Sequence, residues 1–107
     1  MTETRFSWRD EKNRSNQNKH DGISLETAVR VFQDPLRLTR QDRHDDGEER
    51  WQTIGVVYGV TMLLVAHTIT ETDEDGDGDG EPVEHIHLIS ARRATRQERK
   101  RYETENF

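Results

Sequence analysis

Two adjacent runs, RWQTIGVVY (50–58) and VTMLLVAHTIT (60–70), constrain the fold more than anything else in the chain. Both are rich in apolar and β-branched residues, and Gly59 separates them. Such a pair reads as a β-hairpin. The second run is almost continuously apolar and lacks the alternation of a half-buried strand. It therefore predicts a central strand with cover on both faces. Only 29% of the 107 residues are hydrophobic, while 36% are charged. A core that small fits one small domain built around this hairpin, and a partner often completes the burial of so thin a core.

The flanks supply the cover. RFSWR (5–9) places Phe6 and Trp8 on one face of a short strand. Residues 10–20, DEKNRSNQNKH, begin with acids and end with Lys19 and His20, as a short helix prefers. The Asn content weakens that helix, and Asp21-Gly22 marks a turn. Ser24 is a candidate N-cap for a second helix. Leu25, Ala28, Val29 and Phe32 follow at helical spacing, and the helix should stop before Asp34-Pro35. LRLT (36–39) predicts a short edge strand, and RQDRHDDGEE (40–49) a polar loop. EHIHLISA (84–91) alternates Ile86 and Leu88 with His85, His87 and Ile89. Thr95 and Glu98 form a capping box for a final helix. The expected architecture is α+β. A small antiparallel sheet of three to five strands packs against two N-terminal helices and one C-terminal helix.

The net charge of −6 conceals two opposed segments. Residues 71–84 hold eight acids and no Lys or Arg. Residues 92–101 hold six cations against Glu98 alone. There are no cysteines, which excludes a disulfide scaffold, a thiolate metal site and a Cys nucleophile. The N-terminus lacks the apolar region of a signal peptide, and no apolar run reaches the ~20 residues that span a bilayer. A cytoplasmic protein without membrane contact is the expectation.

DEDGDGDGEPVE (73–84) matches a calcium loop at Asp73, Asp75, Asp77, Gly78 and Glu84. Its flanks read as strands rather than helices, and Gly80 stands where an apolar residue is usual. A hydrated loop at 71–83 joining two strands is the simpler reading. His67, His85 and His87 on neighbouring strands invite a metal reading as well. Without cysteines or a suitably spaced carboxylate, surface or hydrogen-bonded histidines account for them better. His67 also suits general acid–base work, although a lone strand histidine is more often structural. In SARRATRQERKRYE, Arg92, Arg93, Arg96 and Arg99 could grip phosphates bidentately. Tyr102 could stack on a base or donate a proton. The competing reading is a solvated helix face paired with Glu98 and Glu103. Glu48, Glu49 and Arg50 stand at the start of the first long strand, suited to catalysis or simply to a charged strand end.

Four stretches together resemble one family. FSWRDEKNRSNQNKHDGISLETAVRVFQDP, DDGEERWQTIG, LLVAHT and LISARRATRQERKRYE resemble, in order and spacing, the corresponding segments of BrnT-type toxins. The resemblance spans almost the whole chain. It implies a RelE/ParE-like fold and a ribonuclease toxin of a type II toxin–antitoxin module that cuts RNA and arrests growth. It implies no cofactor: a ribose 2′-OH attacks the adjacent phosphate without a metal. By the same resemblance, a BrnA-type antitoxin neutralises the toxin in a two-plus-two complex, which reaches operator DNA only through the antitoxin.

Residue roles follow as expectations of that resemblance. His67 and Glu49 are candidates for acid or base, and Arg92 and Arg93 join them at the catalytic phosphate. Lys19, His20, Arg50, Arg96, Arg99 and Tyr102 are candidates for RNA or phosphate contact. The sequence departs from the family pattern at Asp21, which lengthens a turn, and at 73–81, which is longer and more acidic. It departs again at His87, where the family often has Arg. The acidic stretch would repel RNA, so it is expected to point away from the cleft or to gate it, and to be dispensable for folding. A binding protein of the same fold without nuclease activity is the rival reading, and a metal-binding module is a third.

Overall fold

The computed structural model describes residues 3–45, 47–72 and 82–107. The calcium pattern, apart from its last residues including Glu84, and the proposed gate at 73–81 lie outside the described residues. Five strands form one sheet: β1 (Glu3–Ser7), β2 (Leu38–Asp45), β3 (Glu48–Val57), β4 (Thr61–Thr72) and β5 (Val83–Arg93). Their spatial order is β1-β5-β4-β3-β2, which puts the apolar run at the centre. Three helices accompany it: α1 (Asp10–Lys19), α2 (Leu25–Ala28) and α3 (Arg96–Glu103).

The β3–β4 hairpin closes through Tyr58 and Gly59, both at positive φ, with Val60 N–H donating to Val57 C=O at 3.2 Å. Two central residues at positive φ make the tight turn whose twist matches paired strands. Two expectations need correction. The polar stretch 40–49 is mostly strand: β2 runs to Asp45 and β3 starts at Glu48. Polar composition misleads there because an edge strand keeps one backbone side and much of its surface in water. The sheet is also mixed, because β1 pairs parallel to β5 (Phe6 opposite Ile86) while the other pairs are antiparallel. The second helix holds an α conformation only over Leu25–Ala28 and tightens into a 3₁₀ turn, Val29–Gln33. Ser24 caps it by accepting from Thr27 N–H.

The sheet has helices on both faces. On one, here called the inner face, α1, α2 and the 3₁₀ turn cover Leu63, Val65, Leu88 and Ala91. Gly55 is required there, since a Cβ would lie 2.9 Å from Val31 Cγ1 and 3.0 Å from Val31 O. On the other, the outer face, α3 and the C-terminal Phe107 cover Ile54, Met62 and Leu64. A β-bulge at Ile89 shifts the register, pairing Ala66 with Ser90 but His67 with Leu88. It thereby keeps Ala91 in the inner core.

Two buried or half-buried polar side chains act as clamps. The Asn16 amide donates to Ala91 C=O (2.8 Å) and Ile23 C=O (2.9 Å) and accepts from Ala91 N–H (3.0 Å). β1 reaches only to His87 along β5. Asn16 therefore takes the place of a missing strand beside Ala91. Asp34 accepts from Leu36 N–H, Val56 N–H and Tyr102 O–H, the last at 2.6 Å. It joins the 3₁₀ turn to β3 and α3.

Candidate nucleic-acid interface

Strand alternation sorts the functional side chains by face. Along β5, Glu84 and Ile86 share the inner face, while His85 and His87 share the outer one. Their partners agree. Glu84 lines an inner groove with Ile86, whereas His87 Nδ1 meets Ser7 Oγ at 2.9 Å and His85 Nε2 meets Thr72 Oγ1 at 3.1 Å. Arg50 and Gln52 of β3 and Thr68 of β4 also point outward, in phase with Ile54 and Leu64. α3 covers only the Ile54–Met62–Leu64 end of this face. Among the described residues no helix covers the other end, which carries Arg5, the half-buried Arg50, His85 and His87 among hydroxyls. Among the described side chains, the acids in phase with them include Glu3, bonded to Arg5, and Glu48, 3.5 Å from Arg50. On the inner face the same strands place Glu49, Glu71 and Glu84. The two faces thus differ: the outer-face acids sit beside arginines, while among the described residues Glu49, Glu71 and Glu84 have no ion pair.

The expected catalytic residues do not gather at one point. His67 is on the inner face with none of its surface exposed. Its Nδ1–H donates to Thr68 C=O (3.2 Å), which leaves Nε2 to accept from Thr53 O–H at 2.7 Å. Thr39 Oγ1 lies 2.8 Å from Thr53 Oγ1 and continues the chain toward solvent. Phe32 meets the imidazole edge-on at 5.0 Å between centroids. Burial pushes the His67 pKa down to about 4, against a smaller opposing effect from Thr68. It is therefore neutral at pH 7. Glu49 is exposed on that same face. Arg93 is exposed at the far end of β5, opposite Leu63, with Nε 3.9 Å from Asp21.

Arg92 points to the outer face but is engaged. It donates to both oxygens of Glu98 at 2.8 and 2.9 Å. Glu98 also accepts from Thr95 N–H, completing the capping box of α3. The hydrogen bonds from Arg92 outweigh burial and hold the Glu98 pKa down to about 2, while the same contact raises that of Arg92. Tyr102 is similarly committed. Burial, then its hydrogen bond to Asp34, raises its pKa to about 12. Burial alone would lift the Asp34 carboxyl, but Tyr102, two backbone N–H groups and Arg37 bring it below its usual value. Arg96 and Arg99 are exposed on α3.

Lys19 and His20 do come together, with Lys12, Ser15 and Ser90, in a cleft of about 240 Å³ between α1 and β5 that no acid among the described residues lines. Among the described residues, no group of three or more His, Asp or Glu side chains is placed to hold a metal ion. No helix among them is long and apolar enough to cross a membrane. Sequence reasoning missed Asn16, Asp34 and the facial sorting of charge. The period-2 alternation of β3 to β5 carried the last of these.

Comparison with solved structures places the chain in a class of small α+β folds. Its fold matches the crystal structure of the ribonuclease toxin BrnT of Brucella abortus with a TM-score of 0.57. The identity is 17%, and the match covers 89% of this chain and 100% of that one. Residues 8–98 match the family described as "Ribonuclease toxin, BrnT, of type II toxin-antitoxin system". The chain belongs to the BrnT family of ribonuclease toxins. No curated protein sequence matches it.

Proposed function

We propose that this toxin is a metal-independent endoribonuclease whose substrate lies on the open half of the outer sheet face. The observation that supports this is the uneven distribution of charge across the sheet. Arg5, Arg50, His85 and His87 stand on one side, and Glu49, Glu71 and Glu84 on the other. RNA phosphates are drawn to the first side and repelled by the second. The exposed Arg96 and Arg99 of α3 extend the cationic surface for flanking phosphates, and the Lys12–Lys19–His20 cleft between α1 and β5 offers a separate phosphate contact.

In the reaction, the 2′-oxygen bonds to the adjacent phosphorus as its proton passes to a base. The P–O5′ bond breaks, and the departing oxygen takes a proton. The products are a 2′,3′-cyclic phosphate and a 5′-hydroxyl. His85 and His87 are outer-face imidazoles, a side-chain type that serves as general acid or base. Arg50 stabilises the charge that builds on the phosphate. Arg92 acts as a positioning residue by fixing α3 through Glu98. His67 and Glu49, on the inner face, stand outside RNA contact in this reading. A BrnA-type antitoxin neutralises the toxin, in a two-plus-two complex that binds operator DNA through the antitoxin. The setting is the cytoplasm and the outcome of free toxin is growth arrest.

The test is cleavage of labelled RNA in EDTA by wild type, Arg50→Ala, His87→Ala and His67→Ala, with folding checked by thermal melting. Arg50→Ala should lower the rate roughly 100-fold, and His87→Ala comparably. Folded His67→Ala should keep most activity. Loss confined to His67→Ala would move the chemistry to the inner face. Absence of cutting by wild type, with or without ribosomes, would favour a toxin that acts only by binding.

A further inference from the structure

The inner face is covered only in part. Where the 3₁₀ turn ends, a groove of about 440 Å³ crosses the sheet, with residues from all five strands along it. Ile69 and Ile86 form its apolar floor, and Phe6 and Phe32 wall it. Both phenylalanines are only half-buried, so apolar surface faces solvent. The rim is acidic. Glu84 lines the groove, and the register places Glu71 directly opposite it. Like charges facing each other across strands are unfavourable. Among the described residues no ion pair neutralises Glu49, Glu71 or Glu84. Among the described residues Arg37 is the one cation on the lining, and its guanidinium donates to Asp34 C=O at 3.2 Å.

We propose that this groove seats a basic segment of a partner protein. An apolar side chain of that segment fills the slot between Phe32 and Ile69, and its Lys or Arg side chains meet Glu71 and Glu84. Charge selects the occupant. A nucleic acid would bring phosphates against these carboxylates, and the chain's net charge of −6 steers a cationic partner toward it. The opposed pair Glu71–Glu84 loses its repulsion only when a cation is placed over it. For a toxin of this family, the partner is the module's own antitoxin, so the inference rests on that pairing. It goes beyond it in assigning the docking face and its chemistry, opposite the RNA-binding face.

Calorimetric titration of the purified toxin with its cognate antitoxin tests this, with RNA cleavage by antitoxin-free toxin measured in parallel. Glu71→Lys/Glu84→Lys should weaken antitoxin binding at least 30-fold. The milder Glu71→Gln/Glu84→Gln should weaken it less, and Ile69→Trp should weaken it by filling the slot. Cleavage by the charge variants should match wild type. Antitoxin affinity within threefold of wild type for the Lys variant would overturn the proposal. So would loss of cleavage with antitoxin affinity retained, which would make RNA the occupant. A wild-type homodimer that the Lys variant dissociates in sedimentation would assign the groove to a second copy and also overturn it. If wild type cuts no RNA, the nuclease reading fails while the affinity comparison still decides this one.

Discussion

His67 illustrates how a residue's environment redefines its chemistry. An imidazole in water titrates near 6.5, but inside this sheet it is held to about 4 by burial. The unfolded chain therefore binds this proton more readily than the folded one. The associated stability is complete above pH 6.5 and is lost as pH falls through 4. NMR titration should find His67 uncharged at pH 5.5 in the folded protein; a midpoint above 6 would contradict the burial argument. Glu98 shifts in the same direction from a different cause, since Arg92 stabilises its charged form. Its folded pKa of about 2 lies below the 4.5 of an ordinary glutamate. That contribution is present above pH 4.5 and disappears as pH falls through 2. Chemical denaturation across this acid range should give a flatter stability profile for Glu98→Gln than for wild type.

At the scale of elements, α3 is attached to the rest by few but specific contacts. Its apolar contribution is Tyr102 with the neighbouring Ala94 and Phe107, packed on Ile54, Met62 and Leu64. Its polar anchors are Arg92–Glu98 at one end and Tyr102–Asp34 at the other. Tyr102→Phe keeps the ring and removes one bond to a carboxylate. It should cost about 1–2 kcal/mol in urea unfolding and leave the RNA cleavage rate near wild type. A large rate loss with unchanged stability would instead make the hydroxyl a substrate contact. The helical side of the sheet uses the same economy of contacts. One amide, Asn16, satisfies both backbone groups of Ala91.

For the whole molecule, the decisive property is that net charge and local charge disagree. A protein carrying −6 is an unpromising RNA binder on that figure alone. The sheet eases the conflict by keeping Glu49, Glu71 and Glu84, which have no ion pair among the described residues, on one side and Arg5, Arg50, His85 and His87 on the other. Cleavage at subsaturating RNA should therefore fall steeply as salt rises from about 50 to 200 mM, through release of counterions from phosphates. EDTA should have no effect. A rate independent of salt would show that RNA is not held by this surface.

Much of this organisation was legible in the chain. The apolar run at 60–70, the Gly59 turn, the Ser24 cap and the Thr95–Glu98 box each act through near neighbours, so local pattern reveals them. Recognition of the family drew on motifs spread over nearly the whole length. The polar strand β2 was not legible, because its hydrogen bonds come from β3 and its side chains remain wet. The parallel placement of β1 against β5 was equally hidden, being a contact between the two ends of the sequence. The roles of Arg92, Tyr102 and His67 were ambiguous for the same reason. Sequence supplies the functional group, but whether that group is exposed or already bonded depends on residues far away. Arg92 meets its partner 6 positions on, His67 meets Thr53 across 14, and Tyr102 meets Asp34 across 68. The sequence by itself determined the central hairpin, the helix caps and the family, since those follow from local patterns and motifs. Tertiary structure alone decided which face each charge occupies and which polar groups remain available, because both depend on strand register and on long-range partners.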